Sequence, residues 1–311
     1  MLAAVVVAIV VAARPPGRTA VTGLHAPSTP APGDTSATTA TTATGETATL
    51  LAAGDIADCS SPGDEATAAL LDARPTGVVA TLGDNVYDRG RAREFADCYD
   101  PTWGRHKHRT RPAPGNHDYD TSRASAYFDY FGDAAGDRTK GYYSYDLGSW
   151  HVVVLNSTCP STSCEPGGAQ ERWLRADLAA SSMPCTLAYW HHPRFSSGSR
   201  HGSDGAVGPL FQALYEAGAD VVLWGHEHNY ERFAPLDPSG EVDTARGIRA
   251  FVVGTGGRSH YRLGAPITGS EARNGDTFGI LVLTLEPGRY RWEFVPEVGK
   301  TFTDTGAGAC H

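Results

Sequence analysis

The sequence lacks an excess of basic residues. Its 311 residues include 26 Lys and Arg against 35 Asp and Glu, which gives a formal net charge of -9. Proteins that hold nucleic acid through its phosphates usually present a basic face, so this composition argues against a nucleic-acid scaffold role. Any phosphate group that binds this chain therefore needs a local source of positive charge.

The sequence also lacks the cysteine spacing that is typical of zinc sites. None of the 6 cysteines forms a CxxC pair or has another spacing typical of a zinc site. Their even number instead favours disulfides and an oxidising compartment. Cys159 and Cys164 are close enough in sequence to close a small loop, and Cys59 and Cys98 each follow an aspartate. Six cysteines allow many connectivities, so the pairing stays open at this point.

A hydrophobic run of transmembrane length is absent from the N-terminus. The apolar run at residues 2–13, LAAVVVAIVVAA, falls short of the roughly 20 residues that a membrane-spanning helix needs. It suits the core of a signal peptide, although the usual preceding basic residues are missing, so an uncleaved anchor is the alternative. Residues 14–48, rich in Pro, Thr and Ala, predict a disordered stalk. We therefore expect a secreted or extracytoplasmic protein with a signal peptide or membrane anchor at 1–13, a stalk at 14–48 and one folded domain at 49–311.

From residue 49 onward, short apolar runs alternate with amphipathic segments. The runs that predict strands are TLLAAGD, GVVATLGD, WHVVVLNS, CTLAYWHH, DVVLWGHEH, RAFVVGTGG, FGILVLTLE and RYRWEFVPE. Residues 64–71, 169–180 and 208–217 have the periodicity of amphipathic helices. The early part of this pattern predicts an α/β fold, and the C-terminal part predicts strands only. The sequence contains no internal repeat.

Polar side chains follow several of these runs at the point where each run ends. They are Asp55, Asp84, His191, His192, His226 and His228, and the turn PGNHDY adds Asn116 and His117. Because the carboxyl ends of strands in an open α/β sheet share one edge, we expect these residues to meet there. The two imidazoles of GHEH stand two residues apart in an extended segment and therefore point to the same side.

Each of these residues has an ordinary structural explanation when taken alone. An aspartate after a strand is often a helix N-cap or a turn residue, and a buried histidine pair often belongs to the core. Their combination at one predicted edge instead favours a metal site. Six or seven nitrogen and oxygen ligands exceed what one tetrahedral zinc ion holds, so two metal ions that share a carboxylate are expected. Such a pair, about 4 Å apart, suits the hydrolysis of phosphate esters.

The order of these motifs resembles that of the calcineurin-like metallophosphoesterases and, within them, the purple acid phosphatases. The similarity rests on GD at 54–55, GDNVY at 83–87, GNHD at 115–118, AYWH at 188–191 and GHEH at 225–228, and it extends to the C-terminal strands. It implies an α/β fold in which two β-sheets pack face to face with helices outside, four layers in the order αββα. It also implies the small, single-domain type, because the stalk is too short and too Thr-rich to form the extra β-sandwich domain of the large plant enzymes.

The resemblance assigns a role to each motif residue. One iron ion, trivalent in the coloured enzymes, would be bound by Asp55, Asp84, Tyr87 and His228. A second, divalent ion (Fe, Zn or Mn) would be bound by Asp84 as the bridge and by Asn116, His191 and His226. His117 would contact the substrate phosphate, and His201, in the loop SSGSRHGSDG, would be a further substrate-facing histidine. Asp118 replaces the glutamate that is usual at the end of GNHD, and His192 falls outside the expected ligand set.

Tyr87 accounts for a difference from relatives outside the purple class. Many of those relatives have Asp-x-His in the first motif, where the histidine binds the first metal, but this chain has Ala57 at that position. Alanine cannot bind a metal, and a phenol three residues after Asp84 can take the missing place. A free phenol has a pKa of about 10, so only a strongly acidic cation such as Fe(III) would hold it as phenolate.

These observations predict an exported acid phosphatase whose partner is a small phosphate ester. Hydrolysis of monoesters would proceed by direct attack of metal-bound hydroxide, and His201 or His117 would protonate the departing alkoxide. Two alternatives stay open: a phosphodiesterase or nucleotide hydrolase with the same centre, and a non-catalytic surface protein that binds phosphate or metal. Membrane contact is expected only through the N-terminal segment. The basic run RHKHRTR at 105–111 either attracts anions to the site or is a solvated surface stretch.

Overall fold

The computed structural model describes residues 45–311. The predicted signal peptide or anchor (1–13) and most of the predicted stalk (14–48) lie outside the described residues. The first strand begins at Ala48, one residue before the predicted start of the folded domain. Within residues 45–311, no helix is both long enough and apolar enough to cross a membrane.

Strands and short helices alternate along the described part of the chain. The strands are β1 (Ala48–Ala53), β2 (Val78–Leu82), β3 (Thr110–Ala113), β4 (Tyr143–Leu147), β5 (Trp150–Val154), β6 (Cys185–Trp190), β7 (Val221–Trp224), β8 (Tyr230–Phe233), β9 (Arg249–Val253), β10 (Ser270–Asn274), β11 (Gly279–Glu286), β12 (Arg289–Pro296) and β13 (Asp304–Ala309). The α-helices are α1 (Gly63–Asp72), α2 (Ala92–Glu94), α3 (Ser125–Phe131), α4 (Ala169–Ala180) and α5 (Gly208–Glu216). A π-helical turn (Phe95–Tyr99) and 3-10 turns (Trp103–Arg109, Asp118–Asp120, Ser122–Ala124, Gly132–Ala135) complete the set.

The strands form two mixed sheets. The first has the spatial order β13-β12-β11-β1-β2-β3, and the second has the order β10-β8-β9-β7-β6-β5-β4. Strands β1, β2 and β3 run parallel, as do β5, β6, β7 and β9. Gly54, directly after β1, donates its amide to the carbonyl of Val253 at the end of β9, at 2.9 Å. The carboxyl ends of both parallel groups therefore meet on one side of the molecule.

The sheets pack face to face, with helices outside. Apolar side chains of both sheets share one buried cluster, among them Leu50, Leu187 and Phe251. A second cluster joins the other face of the second sheet to α4 and α5, and it includes Trp190 and Trp224. Because α1 packs on β11 of the first sheet, the layers follow the order αββα. The predicted fold class is confirmed, and all eight apolar runs and all three predicted helices correspond to elements of the structure.

The basic run at 105–111 ties α1 to its neighbours. The guanidinium of Arg105 contacts Glu65 at 2.9 Å and Asp72 at 2.8 Å, both on α1. Arg109 donates hydrogen bonds to the carbonyls of Leu71 and Gly77, between α1 and β2. Arg105 and Arg109 therefore hold the α1–β2 connection, while Lys107 and His108 of the same run are exposed, as a solvated surface stretch predicts.

All six cysteines are paired in the structure. The disulfides join Cys59 to Cys98, Cys159 to Cys164, and Cys185 to Cys310. The expected small loop between Cys159 and Cys164 is therefore present. The third bridge connects the start of β6 to the C-terminal end of the chain, next to β13, and so links the two sheets.

His151 in β5 makes stability depend on pH. Its Nδ1 lies 2.9 Å from Asp146 and its Nε2 lies 2.9 Å from Asp177, so the imidazolium form can donate to both carboxylates. The hydrogen bond to Asp177 is the main reason that the pKa of His151 rises above 6.5, although burial opposes the rise. This stabilisation is present below pH 6.5 and is lost as the pH rises through the raised folded-state pKa.

We expect His151→Gln to lower the free energy of unfolding more at pH 5.5 than at pH 9. Denaturant titrations at the two pH values measure the difference. His108→Gln is the matched control, because His108 is exposed and no carboxylate among residues 45–311 pairs with it; the difference between the two pH values should be larger for His151→Gln. Equal losses for His151→Gln at both pH values would contradict the prediction.

Candidate metal centre

Three residues that follow strands adopt a left-handed backbone conformation. Asp55 after β1, Asp84 after β2 and His226 after β7 have φ angles of 61°, 48° and 68°. Non-glycine residues rarely occupy this region, at a cost of about 1–3 kcal/mol each, and such residues cluster at functional sites. Each follows a glycine, in GD, GD and GH. The backbone thus turns sharply at each strand end and aims the side chain along the common edge.

Glycines let the backbone pass close to these side chains. A Cβ atom on Gly83 would lie 2.6 Å from Nδ1 of His191, and Gly83 itself has φ of 85°. A Cβ atom on Gly254 would lie 2.8 Å from Oδ2 of Asp55. The GTGG segment that contains Gly254 therefore forms a close-packed turn against the site.

One group of predicted ligands converges on the phenol of Tyr87. Its oxygen lies 2.8 Å from Oδ1 of Asp55, 3.0 Å from Oδ2 of Asp84 and 3.3 Å from Nε2 of His228. A phenol has a single hydrogen to donate, so it cannot serve two carboxylates and an imidazole at once. A cation among these four side chains, two carboxylates, one phenol and one imidazole, would satisfy all of them.

A second group surrounds His191. Its Nε2 lies 3.2 Å from Oδ2 of Asp84, 3.1 Å from Oδ1 of Asn116 and 3.1 Å from Nδ1 of His226. Nitrogen and oxygen atoms of these side-chain types are common metal ligands in proteins. Oδ2 of Asp84 belongs to both groups, which is the position that a bridging carboxylate requires. The structure therefore brings all seven predicted ligand residues together, and the residues present fit two metal ions.

Hydrogen bonds orient two of the imidazoles. Nδ1 of His191 lies 2.9 Å from the carbonyl of Leu82, and Nδ1 of His228 lies 2.8 Å from the hydroxyl of Ser259. The Leu82 carbonyl only accepts, so Nδ1 of His191 donates to it and Nε2 is the ring atom that faces the cluster of seven predicted ligand residues. Ser259 likewise holds Nδ1 of His228 away from this cluster. Partners of this kind fix the tautomer and orientation of metal-binding histidines.

The charged side chains around His191 shift one another's pKa values. Burial disfavours the charged form of Asp84, but His191 and other imidazoles hold the pKa of its carboxyl far below the usual range. Burial lowers the pKa of His191, whereas the Asp84 carboxylate raises it to about 9. Burial and the charge on His191 lower the pKa of His226. The cluster thus already favours positive charge beside Asp84, which a metal ion would supply in place of a proton.

Both predicted catalytic histidines lie at the rim of the cluster. Nδ1 of His117 is hydrogen-bonded to the backbone carbonyl of Asp88, and its Nε2 lies 3.9 Å from Oδ2 of Asp84. The ring of His201 lies 4.1 Å from that of His226, centre to centre, and its side chain is exposed. Each has a free edge that could reach a substrate held at the centre.

Two buried carboxylates support the site, and one of them, Glu227, was not predicted to do so. Glu227, between the two histidines of GHEH, accepts hydrogen bonds from the amides of His201 at 2.5 Å and Gly202 at 2.6 Å. Asp118 accepts from the amide of Gly115 at 2.9 Å and from the side chain of Asn85 at 3.0 Å. Asp118, in place of the usual glutamate, therefore holds the GNHD turn in position without facing the cluster.

His192 lies beside the cluster although it was excluded from the predicted ligand set. Its ring is 4.3 Å from that of His226, and its Nδ1 is 2.8 Å from the hydroxyl of Ser157. Burial, with the charge on His191 next, lowers the pKa of His192 to about 3. The hydrogen bond to Ser157 gives His192 an orientation of its own, as a neutral neighbour of the second group.

Comparisons with known proteins agree with this geometry. A model of the calcineurin-like phosphoesterase family matches residues 45–230, more than half of the chain. Purple acid phosphatase 21 of Arabidopsis thaliana is 36% identical over 111 residues, which cover 32% of this chain and 25% of that protein. Acid phosphatase type 7 of Homo sapiens is 32% identical over 146 residues, or 40% of this chain and 32% of that protein. The similar segment thus spans only a quarter to a third of these curated relatives.

A solved structure shares the fold. Purple acid phosphatase PPD1 from seeds of yellow lupin (Lupinus luteus) superposes with a TM-score of 0.69 at 19% sequence identity. The superposition covers 85% of this chain and 54% of the lupin chain. At this level of identity the match shows a common architecture of two sheets with flanking helices.

Proposed function

The chain belongs to the calcineurin-like phosphoesterase family, and from this premise we propose that it is an acid phosphatase that hydrolyses phosphate monoesters at a dinuclear metal centre. The observation that carries the proposal is Oδ2 of Asp84, which lies 3.0 Å from the Tyr87 phenol and 3.2 Å from His191. One carboxylate oxygen thus joins two groups of donors. The proposed occupants are Fe(III) beside Asp55, Tyr87 and His228, and divalent Fe, Zn or Mn beside the second group.

The surrounding residues have complementary tasks in this proposal. Two bound metal ions would activate water as the nucleophile and offset the charge of the phosphate. His117, oriented by the Asp88 carbonyl, would donate Nε2–H to a phosphate oxygen. His201 is exposed beside His226, and it would give a proton to the departing alkoxide. Glu227 accepts a hydrogen bond from the backbone amide of His201, so the loop that carries this imidazole is held in place.

Export is part of the proposal. Three disulfides support it, because disulfides persist in oxidising compartments. The proposed partner is a small phosphate ester, and membrane contact would come only through the N-terminal segment.

The test combines metal analysis with a pair of matched esters. Purified protein should contain about two metal ions per chain and should hydrolyse 4-nitrophenyl phosphate at least about 10²-fold more efficiently than bis(4-nitrophenyl) phosphate. Both substrates release the same phenol, so the comparison isolates the monoester preference. A preference for the diester would favour the phosphodiesterase alternative, and a metal-loaded protein without activity on either ester would favour the non-catalytic one.

We expect His201→Ala to slow hydrolysis of alkyl phosphates by about 10²-fold or more and of 4-nitrophenyl phosphate much less. The reason is that an alkoxide needs a proton on departure, whereas nitrophenolate leaves without one. Metal content should not change, since His201 is not among the predicted ligands, and its loop is held through backbone amides that the substitution keeps. Equal losses for the two ester types, or a loss of metal, would contradict the role of proton donor.

A further inference from the structure

A second binding cavity opens directly beside the metal centre. It has a volume of about 560 Å³ and is lined by Ser199, Arg200, His201, His260, Tyr261 and Arg262. The ring of Tyr261 stacks on the ring of His228, with centres 3.9 Å apart and an interplanar angle of 10°. This contact places the cavity next to the group of donors around Tyr87.

Backbone hydrogen bonds hold the cavity in shape. Its two loops are joined where the amide and the hydroxyl of Ser199 both donate to the carbonyl of Arg262, at 3.2 and 2.6 Å. The amide of Tyr261 donates to the carbonyl of His228 at 3.0 Å, which fixes the second loop to the GHEH segment. The cavity is therefore built before any ligand arrives, which reduces the entropic cost of binding.

The positive charges of the cavity are available for a ligand. Arg200 and Arg262 are exposed, and among residues 45–311 no carboxylate oxygen lies within 4.0 Å of either guanidinium. Arg258 nearby is different, because it pairs with Asp58 and also with Asp88, at 2.7 Å in the second case. In a chain with a formal charge of -9, two unpaired guanidinium groups at the mouth of a polar cavity form a local anion-attracting region.

We propose that this cavity, the Arg200–Arg262 cavity, binds a second anionic group of the substrate, on the alcohol part of the phosphate monoester. The inference rests on the proposed function and adds the substrate class: monoesters that carry a further carboxylate or phosphate. Guanidinium groups bind both oxyanions through paired, charge-assisted hydrogen bonds. The centre holds the scissile phosphate, and the arginines hold the distal anion and select for it.

Three phenyl phosphates of matched shape test the proposal. They are 3-carboxyphenyl phosphate, 1,3-phenylene bisphosphate and 3-carbamoylphenyl phosphate, of which the last has no distal charge. Wild-type protein should hydrolyse the first two with a higher kcat/KM, counted per phosphate, than the third. We expect Arg200→Gln and Arg262→Gln each to reduce this preference by about tenfold, as the loss of one charge-assisted hydrogen bond predicts. The two anionic substrates show whether the cavity takes carboxylate, phosphate or both.

Arg123→Gln is the matched control. Arg123 lies in the 3-10 turn Ser122–Ala124 and lines another cavity, of about 600 Å³, next to Tyr119. The substitution removes the same charge, and the preference for a distal anion should persist. If Arg123→Gln abolishes the preference, or if the Arg200 and Arg262 variants retain it, the Arg200–Arg262 cavity is not the binding site.

The failure of this proposal is distinct from that of the proposed function. Hydrolysis of all three esters at equal efficiency by wild-type protein would overturn the cavity proposal alone. If metal-loaded protein hydrolysed none of them, the phosphatase activity itself would be wrong. A parallel measurement of inhibition by 3-phosphonobenzoate and 3-phosphonobenzamide separates binding from turnover: the acid should bind more tightly to wild type, and this advantage should disappear in the Arg200→Gln, Arg262→Gln double variant.

Discussion

Asp84→Asn is expected to remove both metal ions and to reduce phosphatase activity by more than about 10³-fold. Asp84 is almost completely buried, and its Oδ2 is the atom that contacts both groups of donors. The amide that replaces this carboxylate would be neutral and would offer only one oxygen, so neither ion would keep its shared ligand. Substitution of a residue that only supports a metal ligand reduces metal affinity or activity by about 10- to 100-fold. Substitution of the bridging ligand itself should therefore reduce them further.

Asparagine is chosen because the backbone at this position has φ of 48°. Asn tolerates the left-handed region as Asp does, whereas Ala would add strain to the effect of the lost carboxylate. Asp64→Asn is the matched control, since Asp64 is also buried but lies in α1, where it accepts a hydrogen bond from Thr102 at 3.1 Å. Metal analysis and turnover should be affected only in Asp84→Asn. Near-native turnover of that variant with both metals retained would contradict the dinuclear centre.

The sequence was sufficient to predict the strands that are buried on both faces. Strands β1, β6 and β7 read as continuous apolar runs because the sandwich core covers one face and helices or the site cover the other. Strands β3, β4, β8, β10 and β13 were not predicted. All but β8 lie at the edges of the sheets, where a side open to solvent requires no apolar run, and β3 (TRPA) even contains a proline, which edge strands tolerate. Their pairing depends on partners distant in sequence. Strand β8 (YERF) lies inside the second sheet but contains Glu231 and Arg232, so it has no apolar run to indicate it.

The candidate site likewise has residues that the sequence predicts and residues that it does not. Its ligand residues were predictable because each follows a strand whose end lies at a known edge, and because the motif order resembles a known family. The supporting residues were not predictable in the same way. Glu227 holds the loop of His201 across 26 residues of sequence, and Ser259 orients His228 across 31. Nothing in the local sequence distinguishes Glu227 or Ser259 from ordinary polar residues, so only the folded chain reveals their roles.

Tyr87→Phe is expected to abolish the visible absorption of the Fe(III)-loaded protein while the fold survives. Burial, followed by the charges of Asp55 and Asp84, raises the pKa of Tyr87 well above 10, so the protein alone keeps the phenol protonated. A phenolate at this position therefore requires a strongly acidic cation, and a phenolate bound to Fe(III) absorbs visible light as charge moves from ligand to metal. Phenylalanine keeps the ring, which lies 4.5 Å from the ring of His117 and 4.9 Å from the guanidinium of Arg258. Only the oxygen is lost.

The measurement is an absorption spectrum of wild type and variant, each with its iron content determined and its folding checked by thermal unfolding. Tyr261→Phe is the matched control, because Tyr261 also contacts His228 but does so through its ring face, at 3.9 Å, so its spectrum should equal that of wild type. Removing one buried hydroxyl should cost roughly 1–2 kcal/mol of stability. An ordinary packing role for Tyr87 predicts that small loss and an unchanged spectrum. If Tyr87→Phe binds stoichiometric Fe(III) and retains the visible band, the phenol does not bind the metal. The main argument for a trivalent ion beside Asp55 and His228 would then be wrong.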